Sequence, residues 1–403
     1  MNFDNKEGSF EKEILSKYAC NSPFKYIDVQ PLGNFVCCPF WNKTNLRVNK
    51  TGEPNPWFAV DEDEDLLRNW TSPQAKKVRR DILDGSYESC DKVVCPCLSQ
   101  ILSKSQIEGK EIIPYNFQLK EDLMKELNIN SIEDIENFDT TPEEILFGFD
   151  RSCNYRCPSC RNHLIPNDDV NSIEYKRKKI IIDKIDEQYS WNLRKIIITG
   201  SGDPFYSKIF RDYLINFNPE KYPKLQEIQL VTNGSLLTPE MWNKIPNVHQ
   251  YIKCIEISID AATKLTYETK TRLGGIWETL IQNLLFLSKL ESVERVVFSM
   301  TVSKHNYKEM YMFWELLKPI FEHKSVLVIN YRRIVNWGTY TNDEMKDLQV
   351  FDKENPLFND FMKELKRIHK LPYVDTNFND LIVEEEKELK QKTTEFKIKK
   401  TLI

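Results

Sequence analysis

The sequence has no long apolar run. None approaches the roughly 18 residues that carry a helix across a bilayer, so no membrane association is expected. It has no excess of positive charge either. Lys+Arg 56 stand against Asp+Glu 61, a formal net charge of −5. That argues against a dedicated nucleic-acid or other polyanion binder, although a local basic patch stays open. Histidine is scarce, five residues in all, and none pairs with another at ligand spacing. His305 is therefore read as an ordinary exposed or packed side chain. The opening stretch, MNFDNKEGSFEKEIL, is polar and of mixed charge, unlike a secretion signal. The chain reads as cytosolic.

What the chain does have is cysteine. There are ten, and in a cytosolic protein they mean metal binding or catalysis more often than disulfides. Nine fall before residue 161. Cys254 stands alone in an apolar strand-like run, where core packing is its expected role. The densest group is Cys153-Asn-Tyr155-Arg156-Cys157-Pro-Ser159-Cys160, with the spacing CxxxCxxC. The apolar run Ile145–Phe149 before it reads as a strand, so the thiols lie on a loop leaving a strand end. Three soft thiolates on one loop suit an iron–sulfur cluster or zinc. A closed structural zinc site wants four ligands. A cubane of four irons held by three thiolates keeps one iron open.

The other six early cysteines are Cys20, Cys37, Cys38, Cys90, Cys95 and Cys97. Lys25–Val29 alternates like a strand and Phe35–Cys38 like its partner, with turn chemistry at Pro31-Leu-Gly33-Asn34 between them. Such a hairpin brings Cys20 toward Cys37 and Cys38. Thr71 or Ser72 followed by Pro73 predicts a helix over 73–84, stopped at Gly85. That helix leads to Cys90-Asp-Lys-Val-Val-Cys95-Pro-Cys97. These cysteines would equally suit a zinc knuckle.

From residue 143 to about 335, strand-like runs alternate with helical ones. Strands are expected at 144–149, 194–199, 227–232, 255–259, 295–302 and 325–331. Helices are expected near 171–189, 207–217, 238–245, 275–290 and 306–320. The alternation predicts βα units around a parallel sheet, and reactive groups then gather at the C-terminal strand ends. After the second strand comes Thr199-Gly200-Ser201-Gly202-Asp203-Pro204. Small residues let backbone approach a ligand and Asp203 adds a carboxylate, although alone this is an ordinary turn. After the third comes Thr232-Asn233-Gly234, a turn signal first of all. In the fourth, alternation puts Glu256, Ser258 and Asp260 on one face, toward the barrel interior. Asn306, after the fifth, is expected to cap the next helix.

The cysteine loop resembles that of the radical S-adenosylmethionine (radical SAM) enzymes, whose hallmark is CxxxCxxC after the first barrel strand. Ser159 departs from the aromatic residue usual before the third cysteine. Six βα units match that family's open barrel. The N-terminal segment is similar to the SPASM or twitch modules of such enzymes. The shared features are the Cys–Gly–Cys hairpin, Trp70-Thr-Ser72, the Arg79-Arg-Asp-Ile-Leu-Asp-Gly85 helix end and Cys90-x4-Cys95-Pro. SPASM modules normally follow the barrel, and here the module precedes it.

The resemblance implies an α/β chain: a SPASM/twitch-like module over 1–110, a linker over 111–142, a partial (β/α)6 TIM-like barrel over 143–335 and a helical extension over 336–403. It implies a SAM-binding 4Fe-4S cluster on Cys153, Cys157 and Cys160. The SAM pocket would draw on Gly200, Ser201, Gly202 and Asp203, with Asp203 replacing the usual Glu at the SAM ammonium. Thr232 and Asn233 would line it, and Ser258 and Asp260 would lie near ribose and substrate. An auxiliary 4Fe-4S cluster would sit on Cys20, Cys38, Cys90 and Cys95, since glycine-to-ligand spacing favours Cys38, with Cys37 and Cys97 as ambiguous neighbours.

The implied activity is reductive cleavage of SAM to a 5′-deoxyadenosyl radical that abstracts hydrogen from a substrate. Members with SPASM-type modules often modify peptides or proteins, and a small molecule or carbohydrate stays open. An external electron donor such as flavodoxin or ferredoxin is implied. The alternatives are a non-catalytic zinc-stabilised binding module and an enzyme using SAM for methyl transfer. The linker shows no chemistry of its own. The tail, with its acidic block Glu384–Glu388 and lysines through Lys400, reads as a charged terminal helix or a partly ordered segment, with covering of the barrel's open side and substrate binding both open.

Overall fold

The computed structural model describes residues 4–30, 33–38, 70–105 and 111–388. Pro31 and Leu32 of the expected turn, and the tail beyond residue 388, lie outside the described residues. Among the described residues, no helix is long and apolar enough to cross a membrane.

The six expected barrel strands are present in order: β5 (Glu144–Phe147), β6 (Lys195–Ile198), β7 (Glu227–Thr232), β8 (Ile252–Ser258), β9 (Arg295–Val302) and β10 (Val326–Arg333). All neighbours pair in parallel. Each strand has two faces, because successive side chains alternate. Ile145, Phe147, Ile196, Ile198 and Leu230 are fully buried. Phe147 meets Phe210 and Tyr213 of the helix Lys208–Ile215. Leu146, Ile197, Gln229 and Val231 face the other way and line a cavity. Helices Ile173–Gln188, Lys208–Ile215, Trp277–Ser288 and Met310–Phe321 follow the strands as expected. Cys254 is fully buried in β8, in its packing role.

The sheet extends beyond these six strands at both edges. β2 (Tyr26–Gln30) pairs in parallel with β5 and antiparallel with β3 (Gly33–Phe35). The hairpin of the cysteine-rich segment is thus part of the barrel sheet, but its second strand ends at Phe35, before Cys37 and Cys38, where the expected strand ran from Phe35 to Cys38. It buries Ile27 and Val29 and covers the edge of β5, whose backbone groups would otherwise be unpaired. At the far edge, β11 (Val374–Thr376) pairs in parallel with β10. Three residues carry too little pattern to be read as a strand in advance.

The rest of the N-terminal segment packs behind the hairpin. β1 (Tyr18–Cys20) pairs antiparallel with β4 (Phe117–Leu119). The helix Pro73–Leu83 starts where predicted, with Ser72 Oγ accepting from Ala75 N at 3.2 Å. Gly85, at φ +81°, follows its C-cap. Arg79 is fully buried under it, stacked on the Trp70 ring at 4.5 Å and donating to the Trp70 and Pro23 carbonyls.

Candidate functional site

The cysteine loop leaves β5 and closes on itself, with Cys160 N and Arg161 N both donating to the Cys157 carbonyl. Cys153 is pinned by a bridge to Ile165. Every thiol of the loop has a donor directed at its sulfur. Asn233 Nδ2 reaches Cys153 Sγ at 3.7 Å and Tyr155 N reaches it at 3.4 Å. Arg272 Nη1 lies 3.5 Å from Cys157 Sγ. Arg161 Nη2 lies 3.3 Å from Cys160 Sγ. Burial, with Asp203 adding to it, pushes the Cys153 thiol up to about 11. Burial also raises Cys157, against the charge of Arg272. Thiols so placed give up their protons on binding a metal centre. The donors suit thiolate ligands, because hydrogen bonds to cluster sulfurs are a standard means of tuning such sites. The three thiols therefore fit an iron–sulfur cluster.

The strand-end residues form a bracket behind this loop. Thr199 has φ 64°, a conformation unusual for a β-branched residue. It turns its hydroxyl to accept from Ser201 N and Gly202 N. A Cβ on Gly202 would meet the Asp150 carbonyl at 2.7 Å and the Ser152 carbonyl at 2.8 Å, so only glycine lets this turn lie against the cysteine loop. Asp203 is fully buried and its carboxylate takes four protein donors. Phe205 N and Tyr206 N reach Oδ1, while the Thr232 hydroxyl and Asn233 N reach Oδ2. Burial raises its pKa, against those bonds. With two donors on each oxygen, its acceptor capacity is filled, and no lone pair is open for the ammonium contact expected of it. Asp203 instead ties the β6 end to the β7 end. Asn233 continues the tie to Cys153 and to Asn154 Oδ1 at 2.9 Å.

Asp260 also departs from the expectation. Its φ is 59°, which ends the strand alternation just after β8. Glu256 and Ser258 face the cavity as expected. Asp260 accepts from Thr301 N at 2.6 Å and pairs with Arg272 at 2.7 Å. The chain Asp260–Arg272–Cys157 therefore runs behind the cysteine loop. Asn306 stands before the short helix Tyr307–Glu309 without capping it. Its amide donates to the Asp260 and Thr301 carbonyls, which braces the same bend. Arg161 and Arg272 were not singled out in the sequence. Nothing distinguishes them there from the chain's many other basic residues. Adjacency of Arg161 to Cys160 was the one available signal.

The two cysteine groups meet in space. A cavity of about 620 Å³ is lined by Cys20, Cys37, Cys38, Cys90 and Cys95 and also by Cys160. Gly200, Ser201 and Ser258 share it. Cys20 accepts from Asn116 Nδ2 at 3.3 Å. Its thiol is pushed up to about 12 by burial, with Cys95 adding to it. Burial also raises Cys37, with Cys20, Cys95, Cys90 and Cys38 adding to it. Cys97 is buried outside the cavity lining. None of the ten cysteines forms a disulfide. Among the described residues, no three His, Cys, Asp or Glu side chains converge as ligands of a single ion.

Residues 149–317 match the family model described as the Radical SAM superfamily. Over 132 residues the chain is 30% identical to a GTP 3′,8-cyclase of Clostridium perfringens, covering 32% of this chain and 38% of the cyclase. Over 221 residues it is 23% identical to an AdoMet-dependent heme synthase of Methanosarcina barkeri, covering 51% of this chain and 60% of the synthase. The chain thus spans less than two thirds of the curated relatives it matches. Among solved structures, SuiB of Streptococcus suis bound to the precursor peptide SuiA aligns at a TM-score of 0.39 and 12% identity, over 70% of this chain and 63% of that one. Over residues 149–317 the chain is thus similar to the radical SAM superfamily, whose enzymes work with a 4Fe-4S cluster and S-adenosylmethionine.

Proposed function

We propose that this protein cleaves SAM reductively and abstracts hydrogen from a substrate held between two iron–sulfur sites, a peptide or protein residue being the favoured substrate class. The observation that carries the reading is the cysteine loop at the end of β5, with a hydrogen-bond donor directed at each of its three sulfurs. A 4Fe-4S cluster held by Cys153, Cys157 and Cys160 would supply the one-electron reduction that cleaves SAM and so the hydrogen-abstracting chemistry.

The protein's own part is positioning and charge balance. Cys153, Cys157 and Cys160 hold the cluster. Arg161 and Arg272 place positive charge beside the thiolates, and Asn233 donates to the first of them. Gly200 and Ser201 offer close backbone approach on the cavity wall, and Ser258 lines the same cavity. Asp203 and Thr232 fix the loops that carry these groups. Cys20, Cys90 and Cys95, with Cys38 or Cys37 as the fourth thiol, hold the auxiliary cluster and face the same cavity. An external donor such as flavodoxin or ferredoxin supplies the electron.

The reading is tested by anaerobic reconstitution followed by incubation with SAM and dithionite. The expected product is 5′-deoxyadenosine, absent from a Cys153/Cys157/Cys160→Ala variant. An intact cluster that yields none would sink the proposal. Methylthioadenosine or homocysteine in its place would indicate methyl-transfer chemistry. Zinc alone, without iron and sulfide, would indicate the binding module.

A further inference from the structure

Arg161 follows the last cysteine of the loop and is only 5% exposed. Its guanidinium makes three contacts. Nη1 donates to the Arg151 carbonyl at 2.8 Å, and Nη2 donates to Cys160 Sγ at 3.3 Å and to the Ser201 carbonyl at 2.6 Å. Arg151, Cys160 and Ser201 all line the cavity, whereas Arg161 itself does not. From behind the wall, the side chain clamps the cysteine loop to the turn that carries Gly200 and Ser201.

This clamp is charged, and no carboxylate neutralises it. Among the described residues Arg161 pairs with no acidic side chain, whereas Arg272 pairs with Asp260 at 2.7 Å and Lys178 with Asp150 at 2.9 Å. A buried cation is costly without a counter-charge. Of the three groups that Arg161 touches, only the Cys160 sulfur becomes negative, on giving up its proton to a metal centre. Two neutral bonds join the same segments: Asp203 N donates to the Ser152 carbonyl at 3.0 Å, and Ser201 Oγ to the Gly148 carbonyl at 2.8 Å. The loop and the turn therefore stay joined when Arg161 is replaced.

We propose that Arg161 is a positioning residue with two separable roles: its charge eases one-electron reduction at the cysteine loop, and its fork to Cys160 and Ser201 holds the adjoining turn in place for SAM. The inference rests on the radical SAM reading of this loop. Reduction adds a negative charge beside the guanidinium. At the effective dielectric near a protein surface, a unit charge a few ångströms away is worth more than a factor of ten in that equilibrium. The fork needs arginine, because a lysine ammonium is a point charge on a flexible stem and does not reproduce the planar, two-pronged contact.

Potentiometric titration of the reconstituted full chain tests it, followed by the electron paramagnetic resonance signal that the Cys153/Cys157/Cys160→Ala variant lacks. Arg161→Gln is expected to lower the potential by about 59 mV or more, a tenfold shift for one electron. Arg161→Lys keeps the charge and is expected to keep most of the potential, while binding SAM about tenfold more weakly in equilibrium dialysis. A residue that merely supports the fold would move the two variants alike. A potential unchanged in Arg161→Gln at full cluster iron overturns the proposal, and so do two variants alike in both readouts. Loss of cluster iron from both also overturns it, because Arg161 then only holds the loop together. Zinc without iron in the wild-type chain is a different failure: it removes the radical SAM reading, and this inference falls with it.

Discussion

Asp203 shows what a single residue does in this architecture. Its carboxylate joins four donors from two strand ends, so it orients the loop that carries Gly200 and Ser201 without facing the cavity itself. Asp203→Asn replaces one acceptor oxygen by a donor and opposes whichever pair of N–H or O–H groups faces it. The expected result is a protein that still binds its cluster but forms deoxyadenosine roughly tenfold to hundredfold more slowly, the scale of a misplaced positioning group. Iron and sulfide content beside product yield check it. Loss of iron together with activity would mean that Asp203 supports the fold of the cysteine loop instead. The sequence showed that a carboxylate belongs at this turn. It could not show which way the carboxylate points, because that depends on Thr232 and Asn233 from the next strand. Asp260 was misread for a related reason: alternation assumes extended backbone, and a φ of 59° ends it one residue early.

At the scale of elements, the βα alternation was legible because each strand carries its own apolar pattern. β2 and β11 were not placed in the sheet, since their partners are set by edges that exist only after folding. The cysteine loop is joined to the helix layer by Asp150. Its Oδ1 accepts from Ser152 and from Lys178 of the helix Ile173–Gln188, and its Oδ2 from Ser207, the cap of the next helix. Burial alone would raise Asp150. Lys178, Ser207 and the Ser152 N–H overcome it and hold the carboxyl below its ordinary value. A lowered carboxylate pKa stabilises the folded form above the unfolded value, near 3.9, and this stability is lost as pH falls through the lower folded value. Asp150→Asn is therefore expected to cost about 2 kcal/mol at pH 7. The gap from wild type should close below about pH 4 in urea unfolding. A gap that stays constant down to pH 3 would assign the loss to shape and not to charge.

The whole molecule brings together cysteines that the sequence separates by more than a hundred positions. Cys20 and Cys160 line one cavity because the hairpin β2–β3 docks on β5, the strand that launches the cysteine loop. If each group holds its own cluster, the two are independent in ligation and joined only through the cavity. Replacing Cys153, Cys157 and Cys160 together by Ala is then expected to leave one cluster's iron, about four atoms per chain, on the N-terminal cysteines after anaerobic reconstitution. The converse variant, Cys20/Cys90/Cys95→Ala, is expected to keep the other cluster and its SAM cleavage while losing substrate turnover. If the first variant retains no iron, the N-terminal thiols hold zinc or nothing, and the cavity has a redox centre at one end only.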